Sequence, residues 1–174
     1  RSILDFSNGD CPMSTLSVDT IQGKTTASKV IMPTGHVLQV VRASRNSTSY
    51  ETFSSTSFAT STLTLSITPK ASGNKILVQC TIGLGNYGGG SSHAETALYI
   101  DGSNVSSTNG GSAYFWCGYW DSNANDHGCT GYHEYTTVDT NAHTFALYCK
   151  VNSGGNFYIH KGGSHSLVCT EIQS

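Results

Sequence analysis

From residue 36 to the end, apolar and polar side chains trade places with a period of two, while the 3.6-residue repeat of an amphipathic helix is hard to find anywhere. No other feature constrains the chain as much, because a period-two pattern buries one face of an extended segment and leaves the other in water. Residues 37–42 open the series, and Leu63-Thr64-Leu65-Ser66-Ile67-Thr68 alternates until Pro69 stops it. Residues 75–82 are more continuously apolar, as befits a strand in the middle of a sheet. Residues 96–100 run into Asp101-Gly102, a two-residue turn signal because glycine tolerates positive φ, and the chain should return through 103–105. Further strands are predicted at 113–120, 131–138, 143–151, 156–160 and 166–172, separated by Gly, Asn, Asp and Ser. Nine or ten short strands with turn chemistry between them predict an all-β fold, a jelly-roll-type antiparallel sandwich.

The first 35 residues do not share this pattern. Asp, Ser, Thr, Gly and Lys dominate, aromatic residues are nearly missing, and Pro12 and Pro33 punctuate the stretch. They read as an extended arm or tether, and residues 36–174 as the sandwich domain. A polar arm buries too little apolar area to offset its own ordering entropy, so a partner subunit is expected to hold it.

Charge excludes several classes of partner. Charged residues make up 11% of the 174 and the net charge is -2, so the basic stripe of a nucleic-acid-binding protein is missing. Ser, Thr, Asn and Gly fill the polar positions instead, giving a neutral, hydrogen-bonding surface. No apolar run approaches the roughly 18 residues of a membrane-crossing helix, and the opening Arg1-Ser2-Ile3-Leu4-Asp5-Phe6 has no signal-peptide pattern. No membrane insertion is expected.

The densest candidate for a working surface is Tyr114-Phe115-Trp116-Cys117-Gly118-Tyr119-Trp120, which holds both tryptophans, with Asp121, Asn123, Asn125, Asp126 and His127 behind it. Aromatic faces beside Asn and Asp hold sugar rings, but the same side chains serve a subunit interface or ordinary core packing equally well. Cys117 and Cys129 flank a polar loop that a disulfide would close in an oxidising compartment. Cys80, Cys149 and Cys169 sit in apolar or alternating segments and are expected in the core as small hydrophobes.

Catalytic signatures are missing. The chain has no GxSxG, no P-loop and no CxxC, and it is expected to be neither an enzyme nor a cofactor or metal protein. Asp121, Asp126 and Glu134 fall in one region and leave open a carboxylate pair for glycoside cleavage. Asp121, Asn123 and Asn125 partly echo a calcium loop, but its sixth position is Asp126 rather than Gly and its twelfth is Tyr132 rather than Glu. Of seven histidines, His36 and His160 are candidates for an ion on a three-fold axis. Asn46-Ser47-Thr48 and Asn104-Val105-Ser106 are glycosylation sequons, relevant only to secretion from a eukaryotic cell.

Two stretches carry a family resemblance. Met13-Ser14-Thr15-Leu16-Ser17-Val18-Asp19-Thr20-Ile21-Gln22-Gly23-Lys24, followed by Met32-Pro33-Thr34-Gly35-His36-Val37-Leu38-Gln39-Val40, resembles the opening of tail-fibre and other virion appendage proteins of tailed bacteriophages, marine ones especially. Leu65-Ser66-Ile67-Thr68-Pro69-Lys70, then Asn74-Lys75-Ile76-Leu77-Val78 and Ser166-Leu167-Val168-Cys169-Thr170-Glu171-Ile172, are similar to their later pattern. The resemblance implies a virion-surface protein whose β-domain trimerises in the manner of C1q or tumour-necrosis-factor jelly rolls. Residues 1–35 would join it to other virion proteins, and a host-surface glycan or protein would be its target. A purely structural, capsid-decorating or fibre-building role is the alternative, and a polysaccharide depolymerase or a secreted C1q-like protein are more distant ones. Met13 resembles a usual translation start, so residues 1–12 are expected to come from a fused upstream segment or a longer polypeptide.

Overall fold

The computed structural model describes residues 33–86, 94–105, 116–118, 126–151, 155–159 and 165–174. The strands are β1 (Val37–Arg45), β2 (Glu51–Phe53), β3 (Ala59–Ile67), β4 (Lys75–Asn86), β5 (Ala94–Ile100), β6 (Ser103–Asn104), β7 (Trp116–Gly118), β8 (Asp126–Thr136), β9 (His143–Val151), β10 (Phe157–Ile159) and β11 (His165–Ile172). They pair antiparallel in two sheets, one ordered β1-β11-β4-β10-β2 with β8 on the other edge of β4, the other ordered β3-β9-β5-β6 with β7 also on β5. Every described strand is thus part of an all-β sandwich, and no α-helix occurs among the described residues.

Alternation explains which residues meet between the sheets. β3 buries Ser61, Leu63, Leu65 and Ile67 and exposes Thr60, Thr62, Thr64 and Ser66. β9 turns His143, Phe145, Leu147, Cys149 and Val151 inward, and the last four meet Ile76, Val78, Cys80 and Ile82 of β4 and Leu167 and Cys169 of β11 in one core cluster. β4 is bonded on both edges, the mid-sheet place expected of it. Cys80, Cys149 and Cys169 are buried free thiols, as the alternation predicts, and burial pushes the Cys169 thiol up to about 12. The Asp101-Gly102 turn is the predicted hairpin, with φ of 50° and 78° at its two central residues, the left-handed pair of a type I′ turn.

Two strand assignments differ from the pattern reading. β2 spans three residues, too few for a period to register, and is held by β10 through the Phe53↔Phe157 pair, whose rings lie 6.0 Å apart. β8 begins at Asp126 rather than 131, so Asp126, His127, Gly128 and Cys129 belong to a strand and not to the predicted polar loop. Backbone bonding to β4, from Gly85↔Asp126 to Lys75↔Thr136, holds this polar stretch extended without any apolar alternation of its own. Eleven strands therefore stand among the described residues, against the nine or ten expected.

Of the predicted arm, only Pro33–Gly35 falls among the described residues. Gly35 N–H donates to the Gln173 carbonyl at 2.7 Å, and Gln173 N–H to that of His36 at 2.9 Å, so the entry of the chain is tied to its C-terminus.

One polar centre at this end is fully buried. The Glu171 carboxylate, 0% exposed, accepts from Asn74 Nδ2 at 2.6 Å, Lys70 N–H at 2.7 Å and Gln39 Nε2 at 2.6 Å. It thereby fastens the 68–74 loop to β1 and β11.

A second centre braces two turns. Buried His143 places Nδ1 2.7 Å from Asp101 Oδ2 and Nε2 3.2 Å from Asp139 Oδ1, the latter an ion-pair distance without hydrogen-bond alignment. The Tyr135 ring meets the imidazole edge-on at 5.4 Å. Burial works to raise the Asp101 carboxyl, but hydrogen bonds from His143 and the Thr144 N–H outweigh it and bring it below the ordinary range. A carboxyl depressed in the folded state contributes stability above its unfolded value near ~3.9 and loses it as pH falls through the folded value. Wild type is thus expected to lose stability below about pH 4. Asp101→Asn should flatten that part of the stability–pH curve, and an unchanged acid limb in urea titrations would refute the assignment.

Candidate functional site

The predicted aromatic surface is only partly within view. Tyr114, Tyr119, Trp120, Asp121, Asn123 and Asn125 lie outside the described residues, and for Trp116, Cys117, Asp126, His127 and Cys129 the backbone alone is described. Trp116 and Cys117 stand opposite Thr96 and Glu95 in one sheet, Asp126, His127 and Cys129 opposite Gly85, Leu84 and Ile82 in the other. The described ones among the proposed residues therefore stand on strands of both sheets.

Extended geometry bears on part of two chemical alternatives, whose remaining residues Asp121, Asn123 and Asn125 lie outside the described residues. Asp126 and Glu134 lie on the same strand, roughly 26 Å apart at ~3.3 Å per residue, far beyond the carboxyl separations of glycosidases. Glu134 is instead paired with Lys75 Nζ at 2.6 Å on the solvent side. Residues 126–132, the second half of the partial calcium-loop echo, are likewise extended. Among the described residues no group of three or more His, Cys, Asp or Glu converges on a metal position. His36 is half-buried beside the C-terminus, and His160 lies outside the described residues.

Two surfaces that the pattern reading passed over are well formed. The first is the solvent face of the β1-β11-β4-β8 sheet. Cross-strand pairing sets Val37 beside Ile172, Val40 beside Thr170 and Leu77, and Arg42 beside Val168, Gln79 and Tyr132. Val37 is 48% exposed, and Val40 and Tyr132 59% each, while Leu77, Val168 and Ile172 are half-buried. Two-sided apolar character was legible in Val37-Leu38 and Val40-Val41, where adjacent apolar residues put one on each face.

The second is the solvent face of the β3-β9-β5 sheet. Tyr99 of β5 and Tyr148 of β9 stack with centroids 3.8 Å apart, and Phe58 meets Tyr99 edge-on at 6.0 Å. Lys150 Nζ lies 4.9 Å over the Phe58 ring and 2.9 Å from Oε2 of Glu95, which is 4% exposed. Ala97 and Ala146 form the floor between these side chains, and both are buried. The exposed hydroxyl row of β3, Thr60, Thr62, Thr64 and Ser66, runs alongside.

No family model matches the chain, and no curated protein does. Among solved structures it is similar to one described as the crystal structure of dimeric latent PorU from Porphyromonas gingivalis, at 13% identity and a TM-score of 0.42, covering 88% of this chain and 14% of that one.

Proposed function

We propose that the chain is a non-enzymatic virion-surface module, a homotrimeric tail-fibre or appendage domain that attaches the particle to a host surface. The observation that carries this reading is the solvent face of the β1-β11-β4-β8 sheet, where Val37, Val40, Val168, Ile172, Leu77 and Tyr132 lie together. An antiparallel sheet with one wet face is expected to be polar there, and a contiguous apolar patch rimmed by charge marks an association surface. The occupants we assign are two further copies of the chain, with Arg42 and the Lys75–Glu134 pair at the rim. Strand order supports the jelly-roll form: the longer strands run β1-β11-β4-β8 in one sheet and β3-β9-β5 in the other, so the longer strands alternate between sheets along the sequence, and the short β7 pairs with β5. Residues 1–35 serve as the tether to other virion proteins, and three copies multiply weak single-site affinity for a surface glycan or protein.

Light scattering on the intact chain tests this directly. Wild type should have three times the chain mass, and a Val40→Asp/Tyr132→Asp variant, folded by circular dichroism, should fall to a monomer. A monomeric wild type would overturn the trimer, and a trimer surviving in the variant would move the interface elsewhere.

A further inference from the structure

We propose that the solvent face of the β3-β9-β5 sheet is a binding site for a neutral, pyranose-containing glycan, centred on Tyr148. This rests on the attachment reading above and specifies where the ligand sits and of what class it is.

Outward positions on a half-wet antiparallel sheet favour polar side chains. β3 obeys this with Thr60, Thr62, Thr64 and Ser66, but the outward positions of β9 and β5 carry Ala146, Tyr148, Ala97 and Tyr99. Small residues alternate with rings, so the rings stand above an alanine floor instead of filling the core between the sheets. Tyr99 stacks on one side of Tyr148, and among the described residues no further ring contact is made by Tyr148. On its other flank Tyr148 faces β3, where register pairs it with Thr60.

This juxtaposition suits a sugar ring. The face of a pyranose that carries axial C–H groups packs on an aromatic ring, while its hydroxyls need donors and acceptors at the edge. Here the ring is Tyr148, stacked on Tyr99, which Phe58 meets edge-on, and the edge groups are the Thr60 hydroxyl and the Tyr148 and Tyr99 phenols. Charge selects the subclass. The Lys150 cation beside the rings is matched by Glu95 at 2.9 Å, so the site has no net charge to attract a sialic acid, a uronic acid or a sulfated sugar.

Saturation-transfer-difference NMR on the full chain provides the test, with maltotriose, cellotriose and tri-N-acetylchitotriose as neutral probes and sialyllactose as the acidic one. Saturation should reach ring C–H protons of at least one neutral probe and leave sialyllactose unaffected. Tyr148→Ala should weaken that binding at least about tenfold, and Tyr148→Phe, which keeps the ring and loses one edge hydroxyl, should weaken it less. Thermal midpoints would verify that both variants fold; should Tyr148→Ala not fold, Thr60→Tyr, which puts a second ring beside Tyr148 on the β3 side, takes its place and should abolish binding. No transfer to any neutral probe, preferential binding of sialyllactose, or undiminished binding in the folded variants would each overturn the proposal. A whole-cell binding assay separates the two readings. Cell binding by wild type that survives in Tyr148→Ala leaves attachment standing and sinks this site. Neutral-sugar binding by a chain that adheres to no host cell preserves the site and sinks attachment.

Discussion

Replacing Glu171 with alanine is expected to lower the stability of the sandwich by about 3 kcal/mol, because it removes the only acceptor common to Gln39, Lys70 N–H and Asn74. Asn74 is 4% exposed, so its amide is left without water to replace the carboxylate. Gln39 Nε2 keeps its bond to the Thr68 carbonyl at 2.7 Å and loses less. For a domain of this size the loss corresponds to a thermal midpoint roughly 10 °C lower. Glu171→Gln should fall between the two, since its carbonyl still accepts while its amide group points a donor at another donor. Urea unfolding monitored by far-UV circular dichroism measures both, and a change under about 1 kcal/mol in Glu171→Ala would refute the role given to this carboxylate.

The second large effect is expected at Phe145. This side chain is 0% exposed, meets Tyr135 edge-on at 5.7 Å, and lies between Leu65 and Ile100 on the neighbouring strands. Because Tyr135 belongs to the β4-β8 side and Leu65 and Ile100 to the other sheet, Phe145 couples the two layers. Phe145→Ala should cost about 3–5 kcal/mol, from lost apolar transfer and a cavity that rigid sheets on both sides close poorly. Phe145→Leu should cost markedly less. Equal losses in the two variants would mean that the layers re-pack around the site and that the coupling described is not rigid.

The two effects differ in how visible they were in the sequence. Phe145 follows from alternation alone, since His143, Phe145, Leu147, Cys149 and Val151 share a parity and all face inward. Glu171 has the parity of Leu167 and Cys169, which places a carboxylate on a buried face. The pattern marks that position as anomalous but does not reveal the donors, because Gln39 and Asn74 reach it from 132 and 97 residues away. The same limit applies to the surfaces. Tyr99 and Tyr148 could be recognised as outward-facing on their own strands, but their stacking arises from the β5-β9 register. The dense aromatic cluster at 114–120 stands out in the sequence because local concentration is visible in one dimension. An aromatic pair assembled from two strands is not.

Periodicity therefore determined the fold class, the inward residues of the long strands, the Asp101-Gly102 turn and the burial of Cys80, Cys149 and Cys169. Those properties depend on parity within one strand and on local backbone conformation, which a single segment carries in itself. The tertiary structure alone decided the short β2, the start of β8 at Asp126, the braces at Glu171 and His143, and the two solvent faces. Each of these depends on which strand lies beside which, and antiparallel pairing brings together residues whose separation along the chain leaves no local trace.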